Sequence, residues 1–489
     1  MKLTNKLQGM FIFVATATAI GFAPVAAACG RAEMTYPDLS FLSAPQKTGL
    51  PQDYVPASLI ELGQSVETNG PMCLEKEAAQ NLLKMFKAAK KDGVSLAVTS
   101  AYRNPERQKW VREYWSASGG SMSALEAAEP GFSEHQLGTV IDLTDTSVDY
   151  ASTDPDFGAG RGGSWMRKNA YKHGFVMSYP KNKTDTAVLD YEPWHWRYVG
   201  LELANRPLSW RADLSAYGVN RGDPPRLLLS GLKPLSLSAG AFVSVYVNSD
   251  DRLVLIGKGT DKRLPIASIS KLMTALVIRE YYKEDAEIVI ESNRLSGKGS
   301  SDRYRTGDTF RAYDLLHSVL IESDNDATTA FTTKLGEESL VEMMNSVAKR
   351  LGMENTVFYT ATGLDFWNGG PAYNFSTPDD LVALASAIIR EHPEIFDISK
   401  MQHFILYDSG GNQHHTVENT NRLLYDADLG PEIVGGKTGT TPVALQNLVL
   451  VTKPPQGEGS IISVVLGSSD NFGDMQSLIH WVETYYQWL

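Results

Sequence analysis

Apolar and polar positions alternate along the chain in two distinct rhythms. Ala78, Leu82, Met85, Phe86 and Ala89 recur at three- and four-residue intervals, which predicts an amphipathic helix closed by Gly93. Val94, Leu96 and Val98 then alternate with polar residues, so the helix is followed by a strand that ends at Ser100-Ala101-Tyr102-Arg103. From Asn205 to about Gly240 no apolar period is sustained, and Pro207, Pro224, Pro225 and Pro234 lie among Gly, Ser and Asn; this stretch reads as an interdomain connection. Beyond it Val243, Val245 and Val247 alternate, Asn248-Ser249-Asp250-Asp251 supplies turn residues, and Leu253 to Ile256 return as the second arm of a hairpin. A long helix is predicted from Ser268 to about Tyr282, strands around Leu448–Val451 and Ile461–Leu466, and a closing helix from Met475.

With 489 residues, 43% hydrophobic and 21% charged, the chain suits two soluble domains rather than one. No internal repeat relates the halves. The net charge of −12 argues against binding to nucleic acid or anionic lipid, because the long-range field repels polyanions. Lys2 and Lys6, an apolar run from Met10 to Phe22 and the small residues Val25 to Ala28 form a secretory signal peptide over residues 1–28, too short in its apolar part to span a bilayer. The mature chain is expected to be exported, to the periplasm or cell envelope, with no transmembrane segment. Cys29 and Cys73 are the only cysteines; a disulfide between them and lipidation of Cys29 at the cleavage point are both open.

Two constellations carry chemistry. In the first half, His135 and Asp142 lie seven apart and Glu192-Pro-Trp-His195 places a second histidine three residues after a carboxylate. Two imidazoles and one carboxylate make an open zinc site, leaving a position for a water whose pKa the ion lowers to roughly 7. Either histidine alone would read as an ordinary partly buried residue. Together with Ser100-Ala101-Tyr102-Arg103, the set resembles the VanY-type zinc D,D-carboxypeptidases over about Leu74 to Gly200. The resemblance implies Zn2+ ligands His135, Asp142 and His195, with Glu192 as general base and acid. It implies Arg103 as oxyanion stabiliser, a task that suits a permanently charged guanidinium, and Ser133 and Gln108 as substrate contacts. His173 lacks ligand-like spacing to a carboxylate and reads as structural, whereas for Trp194 and Trp196 core packing and lining of the cleft are equally open.

In the second half, Ser268-Ile-Ser-Lys271 puts a hydroxyl and an amine on one face of a helix start. The lysine can serve as base only if desolvation or a neighbouring cation, for which Lys437 is a candidate, keeps it neutral part of the time. Ser323-Asp324-Asn325 and Lys437-Thr438-Gly439 complete the triple signature of penicillin-binding proteins and class A β-lactamases. No Glu-x-x-Leu-Asn lies between the second and third motifs, which disfavours a deacylating β-lactamase. With Leu351-Gly-Met-Glu-Asn-Thr356 and Thr362-Gly-Leu-Asp365, the half from about Gly240 resembles a low-molecular-mass penicillin-binding D-alanyl-D-alanine carboxypeptidase. That implies Ser268 as nucleophile, Lys271 as its base, Ser323 and Asn325 in proton relay and substrate-amide binding, and Lys437 and Thr438 on the terminal carboxylate. The Ser268 and Thr440 backbone N–H groups would form the oxyanion hole beside Gly439. Pro442 stands where such proteins usually have a flexible Ala-Gly, so the pocket floor is expected to differ.

The two resemblances imply an α+β chain. A small VanY/hedgehog-like antiparallel sheet with helices (36–204) would be joined by a linker (205–239) to a β-lactamase/transpeptidase-like domain, a five-stranded antiparallel sheet flanked by helices (240–489). Both halves point to the D-Ala-D-Ala end of peptidoglycan stem peptides, one by zinc and one by a serine acyl-enzyme without a cofactor, with β-lactams as covalent inhibitors of Ser268. Rival readings are an endopeptidase or L,D-carboxypeptidase activity in one half, or one silent peptidoglycan-binding module.

Overall fold

The computed structural model describes residues 29, 34–36, 49–51, 53–63, 66–68, 70–118, 128–180, 191–205, 225–228, 232–249, 251–291, 303–367, 370–371 and 373–488. The signal peptide expected over 1–28 and most of the connection expected over 205–239 lie outside them. The described residues divide into two compact units, one within Met1–Arg31, Ser58–Ala127 and Glu134–Leu214, the other within Ala32–Ala57, Ala128–Ser133 and Ser215–Leu489.

The first unit is built on a four-stranded antiparallel sheet. In spatial order its strands are β1 (Leu96–Ser100), β2 (Val140–Asp145), β4 (His195–Tyr198) and β3 (Phe175–Met177). Helix α1 (Lys76–Lys91) buries Ala78, Leu82, Met85, Phe86 and Ala89, the stripe its sequence announces. Glu75 caps it by accepting from the Ala78 N–H at 2.9 Å, and Gly93 follows with φ +72°. Helix α2 (Pro105–Ser118) comes directly after the Tyr102-Arg103 corner. Cys29 and Cys73 form a disulfide. Lipidation of Cys29 is corrected accordingly, because its sulfur is already bonded to another sulfur.

The second unit carries the hairpin β5 (Ala241–Asn248) and β6 (Asp251–Lys258), helix α3 (Lys271–Tyr281), helix α4 (Pro378–Glu391), the hairpin β7 (His403–Tyr407) and β8 (Gln413–Glu418), then β9 (Ile433–Thr441), β10 (Leu445–Thr452), β11 (Ser460–Ser468) and helix α5 (Asn471–Tyr485). Its main sheet is antiparallel in the order β6-β5-β11-β10-β9. These are the five expected strands, and Met34–Thr35 adds a two-residue edge to β6. Helix α3 is mostly apolar, with Leu272 to Ile278 all buried, as befits a helix packed on all sides. It begins three residues later than predicted, because Ala267–Ser270 form a tighter 3₁₀ turn first.

The described part of the expected linker is ordered. Arg226–Leu227 pair with Tyr486–Gln487, the Ser238 hydroxyl donates to Asp474 at 2.8 Å, and the Trp481 indole donates to the Lys233 carbonyl at 2.8 Å. Proline-rich composition hid this. Isolated side-chain and edge contacts leave no periodic apolar signal. Among the described residues no helix is long and apolar enough to cross a membrane.

Candidate active sites

The sheet of the first unit brings its ligand candidates together. Asp142 on β2 and His195 on β4 are direct cross-strand partners, so their side chains emerge on one face. His135 stands on the 3₁₀ turn Glu134–Leu137 that precedes β2. His135 Nε2 lies 3.1 Å from Asp142 Oδ2, and His195 Nδ1 lies 3.2 Å from Asp142 Oδ1. All three residues are buried, and their ligand atoms lie within 4.8 Å of one another. A buried set of two imidazoles and one carboxylate fits a borderline divalent ion.

The groups behind the ligands are equally defined. His135 Nδ1 contacts the Ala101 carbonyl at 2.7 Å, which leaves Nε2 for the cluster. His195 Nε2 meets Glu134 Oε2 at 3.0 Å, and Arg197 donates to Glu134 Oε1 at 3.1 Å. Sequence reasoning missed Glu134 and Arg197. The signal available was that Glu134 adjoins one ligand and Arg197 lies two after another, on the same strand face as His195.

Glu192 Oε2 stands 3.5 Å from His195 Nδ1. Burial pushes its carboxyl up to about 7; His195 counters and Asp142 reinforces this. Arg103 is partly exposed, its charge disfavoured by desolvation but favoured by Asp142 and Glu192. Its backbone N–H donates to the His135 carbonyl at 3.2 Å, and its Nε has no hydrogen-bond partner among the described residues. Gln108, on α2, and Ser133 are both buried. Trp194 and Trp196 are core residues, the latter donating to the Pro193 carbonyl at 2.8 Å. His173 is outside the cluster, in the turn Ala170–His173.

In the second unit Lys271 Nζ is 3.0 Å from Ser268 Oγ, 2.8 Å from Asn325 Oδ1 and 2.7 Å from the Thr362 carbonyl. Lys271 is fully buried whereas Ser268 is partly open. Desolvation brings the Lys271 ammonium down to about 7, against a small opposing pull from Asp324. Lys437, on β9, is also buried, and desolvation followed by repulsion from Lys271 holds it well below the ordinary lysine range. Its Nζ donates to the Thr438 carbonyl at 3.0 Å. Thr438 Oγ1 lies 2.6 Å from Thr420 Oγ1, and Thr440 is exposed.

Local backbone shape sets these distances. Ala267 (φ +48°) and Ser323 (φ +63°) both hold left-handed conformations that cost a non-glycine residue about 1–3 kcal/mol. Ser323 leaves the wide π-helical turn Ser318–Glu322, and Asp324 then caps the short helix Asn325–Ala330 through the Ala327 N–H. Gly439 lets β9 run against the turn that carries Ser268: a Cβ there would lie 2.7 Å from the Ile266 carbonyl and 2.9 Å from the Ile269 nitrogen. A Cβ on Gly363 would lie 2.1 Å from the Ala267 carbonyl. Three supporting groups went unrecognised in the sequence: the Thr362 carbonyl, Thr420, and Asn374, whose amide donates to Ser270 Oγ at 2.8 Å. Carbonyls carry no sequence signature, and Thr420 and Asn374 lie outside the three motifs.

Comparison with known proteins agrees with the two units. A family model described as D-alanyl-D-alanine carboxypeptidase matches residues 230–470, and the VanY model, with the same description, matches residues 71–201. The Bacillus subtilis protein YodJ is 42% identical over 159 residues, covering 32% of this chain and 58% of its own. The D-alanyl-D-alanine carboxypeptidase DacC of Escherichia coli is 34% identical over 251 residues, 48% of this chain and 59% of its own. A D-alanyl-D-alanine endopeptidase of Haemophilus influenzae is 31% identical over 234 residues, 46% of this chain and 75% of its own. The chain thus spans about three-fifths of the length of the first two of these relatives. It belongs to the D-alanyl-D-alanine carboxypeptidase family, with a VanY module preceding a penicillin-binding serine module.

Proposed function

We propose that this chain is an exported, bifunctional peptidoglycan D-alanyl-D-alanine carboxypeptidase that removes the terminal D-Ala of stem pentapeptides at two independent sites. Residues 36–204 would carry the first activity and 240–489 the second. The observation that carries the reading is that each unit assembles a complete set of reacting groups from its own residues: His135, Asp142 and His195 within 4.8 Å in one, and Lys271 Nζ buried 3.0 Å from Ser268 Oγ in the other.

In the first unit His135, Asp142 and His195 would hold Zn2+, which when bound supplies Lewis acidity and acidifies a water. Glu192, with its carboxyl near neutrality, takes the proton from the attacking water and returns it to the departing D-Ala amine. Arg103 offers a partly desolvated positive charge to the oxygen that becomes negative as the scissile carbonyl turns tetrahedral. Gln108 contacts the substrate, as does Ser133, which adjoins Glu134 within residues 36–204 although it groups with the second unit.

In the second unit the neutral fraction of Lys271 accepts the Ser268 proton as Oγ attacks the carbonyl carbon. The acyl-enzyme ester forms, D-Ala leaves with a proton, and water then releases the shortened peptide. Ser323 and Asn325 relay that proton and hold the substrate amide. Lys437 and Thr438 bind the terminal carboxylate, and the backbone N–H groups of Ser268 and Thr440 receive the oxyanion beside Gly439. β-Lactams would acylate the same Oγ.

One observation favours a second reading of the serine unit: its similarity to a protein named D-alanyl-D-alanine endopeptidase. Product masses from a defined pentapeptide and a defined cross-linked muropeptide, digested by Ser268→Ala and Glu192→Gln chains, decide between them. Loss of one D-Ala (a single residue mass) from the pentapeptide by both variants supports the carboxypeptidase reading for both units. Cleavage of the crosslink alone by the Glu192→Gln chain would assign the serine unit to endopeptidase work.

A further inference from the structure

Outside both sites, the second unit places two consecutive histidines in an arrangement that asks for a cation. His414 and His415 lie on β8, where neighbouring side chains ordinarily point to opposite faces. Here the pairing of β7 with β8 slips: Leu406 pairs with His415 and Tyr407 with Gln413, so His414 is an extra residue in a bulge. The bulge turns both rings toward each other, with Nδ1 atoms 2.7 Å apart and ring centres 4.9 Å apart.

The far side of each ring is fixed by a carboxylate. His414 Nε2 faces Asp308 Oδ2 at 3.3 Å and His415 Nε2 faces Glu322 Oε1 at 2.9 Å. Both carboxylates also accept from other donors, Asp308 from the Arg305 N–H and Glu322 from the Ser318 hydroxyl, and Glu322 pairs with Arg303. A carboxylate acting as acceptor requires a hydrogen on the nitrogen that faces it. With hydrogen on both Nε2 atoms, both Nδ1 lone pairs point into the same 2.7 Å gap, an arrangement that repels unless a proton or a metal ion is shared there. Tyr304 stacks on the His414 ring at 5.3 Å and meets His415 edge-on at 5.7 Å, and Phe310 meets His414 at 5.1 Å, so the rings have little freedom to turn away.

We propose that His414 and His415 form a second metal site, taking a borderline divalent ion such as Zn2+, Ni2+ or Cu2+ through their Nδ1 atoms. Imidazole suits these ions, and a carboxylate on the opposite nitrogen is the usual support of a metal-bound histidine. Metal–nitrogen distances of about 2.0–2.1 Å set two imidazole nitrogens about 2.9 Å apart at a right angle and about 3.3 Å apart in a tetrahedron, so the 2.7 Å gap must open by a few tenths of an ångström for square-planar Cu2+ and by rather more for Zn2+. The two side chains are 18% and 16% exposed, which leaves water room to complete the coordination. Glu322 directly precedes Ser323, so the ion would tie the β7–β8 hairpin to the turn that presents the second catalytic motif.

The test is equilibrium dialysis of the full chain against Zn2+, with acylation by labelled penicillin reporting that the second unit is folded. His414→Ala should bind one equivalent fewer than its parent, both in the wild-type chain and in a His135→Ala background where the first cluster is disabled. Unchanged stoichiometry in both backgrounds overturns the site. If His414→Ala fails to acylate, the Cu2+ electron paramagnetic resonance spectrum of the His135→Ala chain carries the test: splitting from two imidazole nitrogens supports the site, and the spectrum of free aqueous Cu2+ overturns it.

Discussion

On the proposed reading the two units solve one chemical problem, attack on a peptide carbonyl at neutral pH, with opposite use of buried charge. The first gathers opposite charges and ligands: Asp142 between two histidines, Glu134 between His195 and Arg197. Such a cluster is suited to a cation that makes the nucleophile from water. The second gathers like charges, burying Lys271 and Lys437 in one region so that desolvation strips protons from amines. There the proposed nucleophile is a side chain, and the proposed base is made by denying it water. The comparison teaches that similar burial raises a carboxyl in one unit and lowers an ammonium in the other, each ending near 7.

The comparison can be broken by changes confined to one side. Ser268→Ala should abolish penicillin acylation and lower the penicillin-sensitive share of D-Ala release by on the order of 10⁶-fold, the scale seen when a serine nucleophile is removed, while the chelator-sensitive share stands. Glu192→Gln should lower the chelator-sensitive share by roughly 10²–10⁴-fold, the usual contribution of a general acid–base, with metal content unchanged in an elemental assay. A fall in bound metal would instead make Glu192 a ligand. Glu134→Gln should weaken metal affinity about 10–100-fold, as loss of a carboxylate behind a ligand histidine does. Competition with a chromophoric chelator reads this directly.

The smallest effect is in pH. Lys271 accepts a proton only when neutral, and its ammonium sits near 7 rather than at the ordinary lysine value. Acylation of Ser268 by penicillin should therefore rise about tenfold from pH 6 to pH 8 and flatten above. The same shift has a stability sign. Between pH 7 and the ordinary lysine range the unfolded chain binds the proton that the folded chain has lost, so folding gains stability as pH rises through that window. A rate that stays flat from pH 6 to pH 8 would mean that Lys271 is not the base.

Much of this was legible in the sequence, for identifiable reasons. Helix α1, the β5–β6 hairpin and helix α3 announce themselves because each buries a regular stripe or circumference, and burial writes a period. The short motifs mark residues that must converge, and Ser268, Lys271 and Asn325 do lie within hydrogen-bond reach. What stayed hidden has no period. The packing of Arg226–Leu227 and Ser238 onto the C-terminal helix rests on single contacts between distant residues. Glu134 and Arg197 form an ion pair 63 residues apart in sequence, and the Thr362 carbonyl could have belonged to any residue type. The bulge that converges His414 and His415 is a register slip, visible only once β7 and β8 are paired.

The most direct test of two independent sites is D-alanine release from a diacyl-L-Lys-D-Ala-D-Ala tripeptide, followed with no inhibitor, with a chelator, with penicillin and with both. Partial loss under each agent and complete loss only under the two together is the predicted result. Complete loss under either agent alone would contradict it.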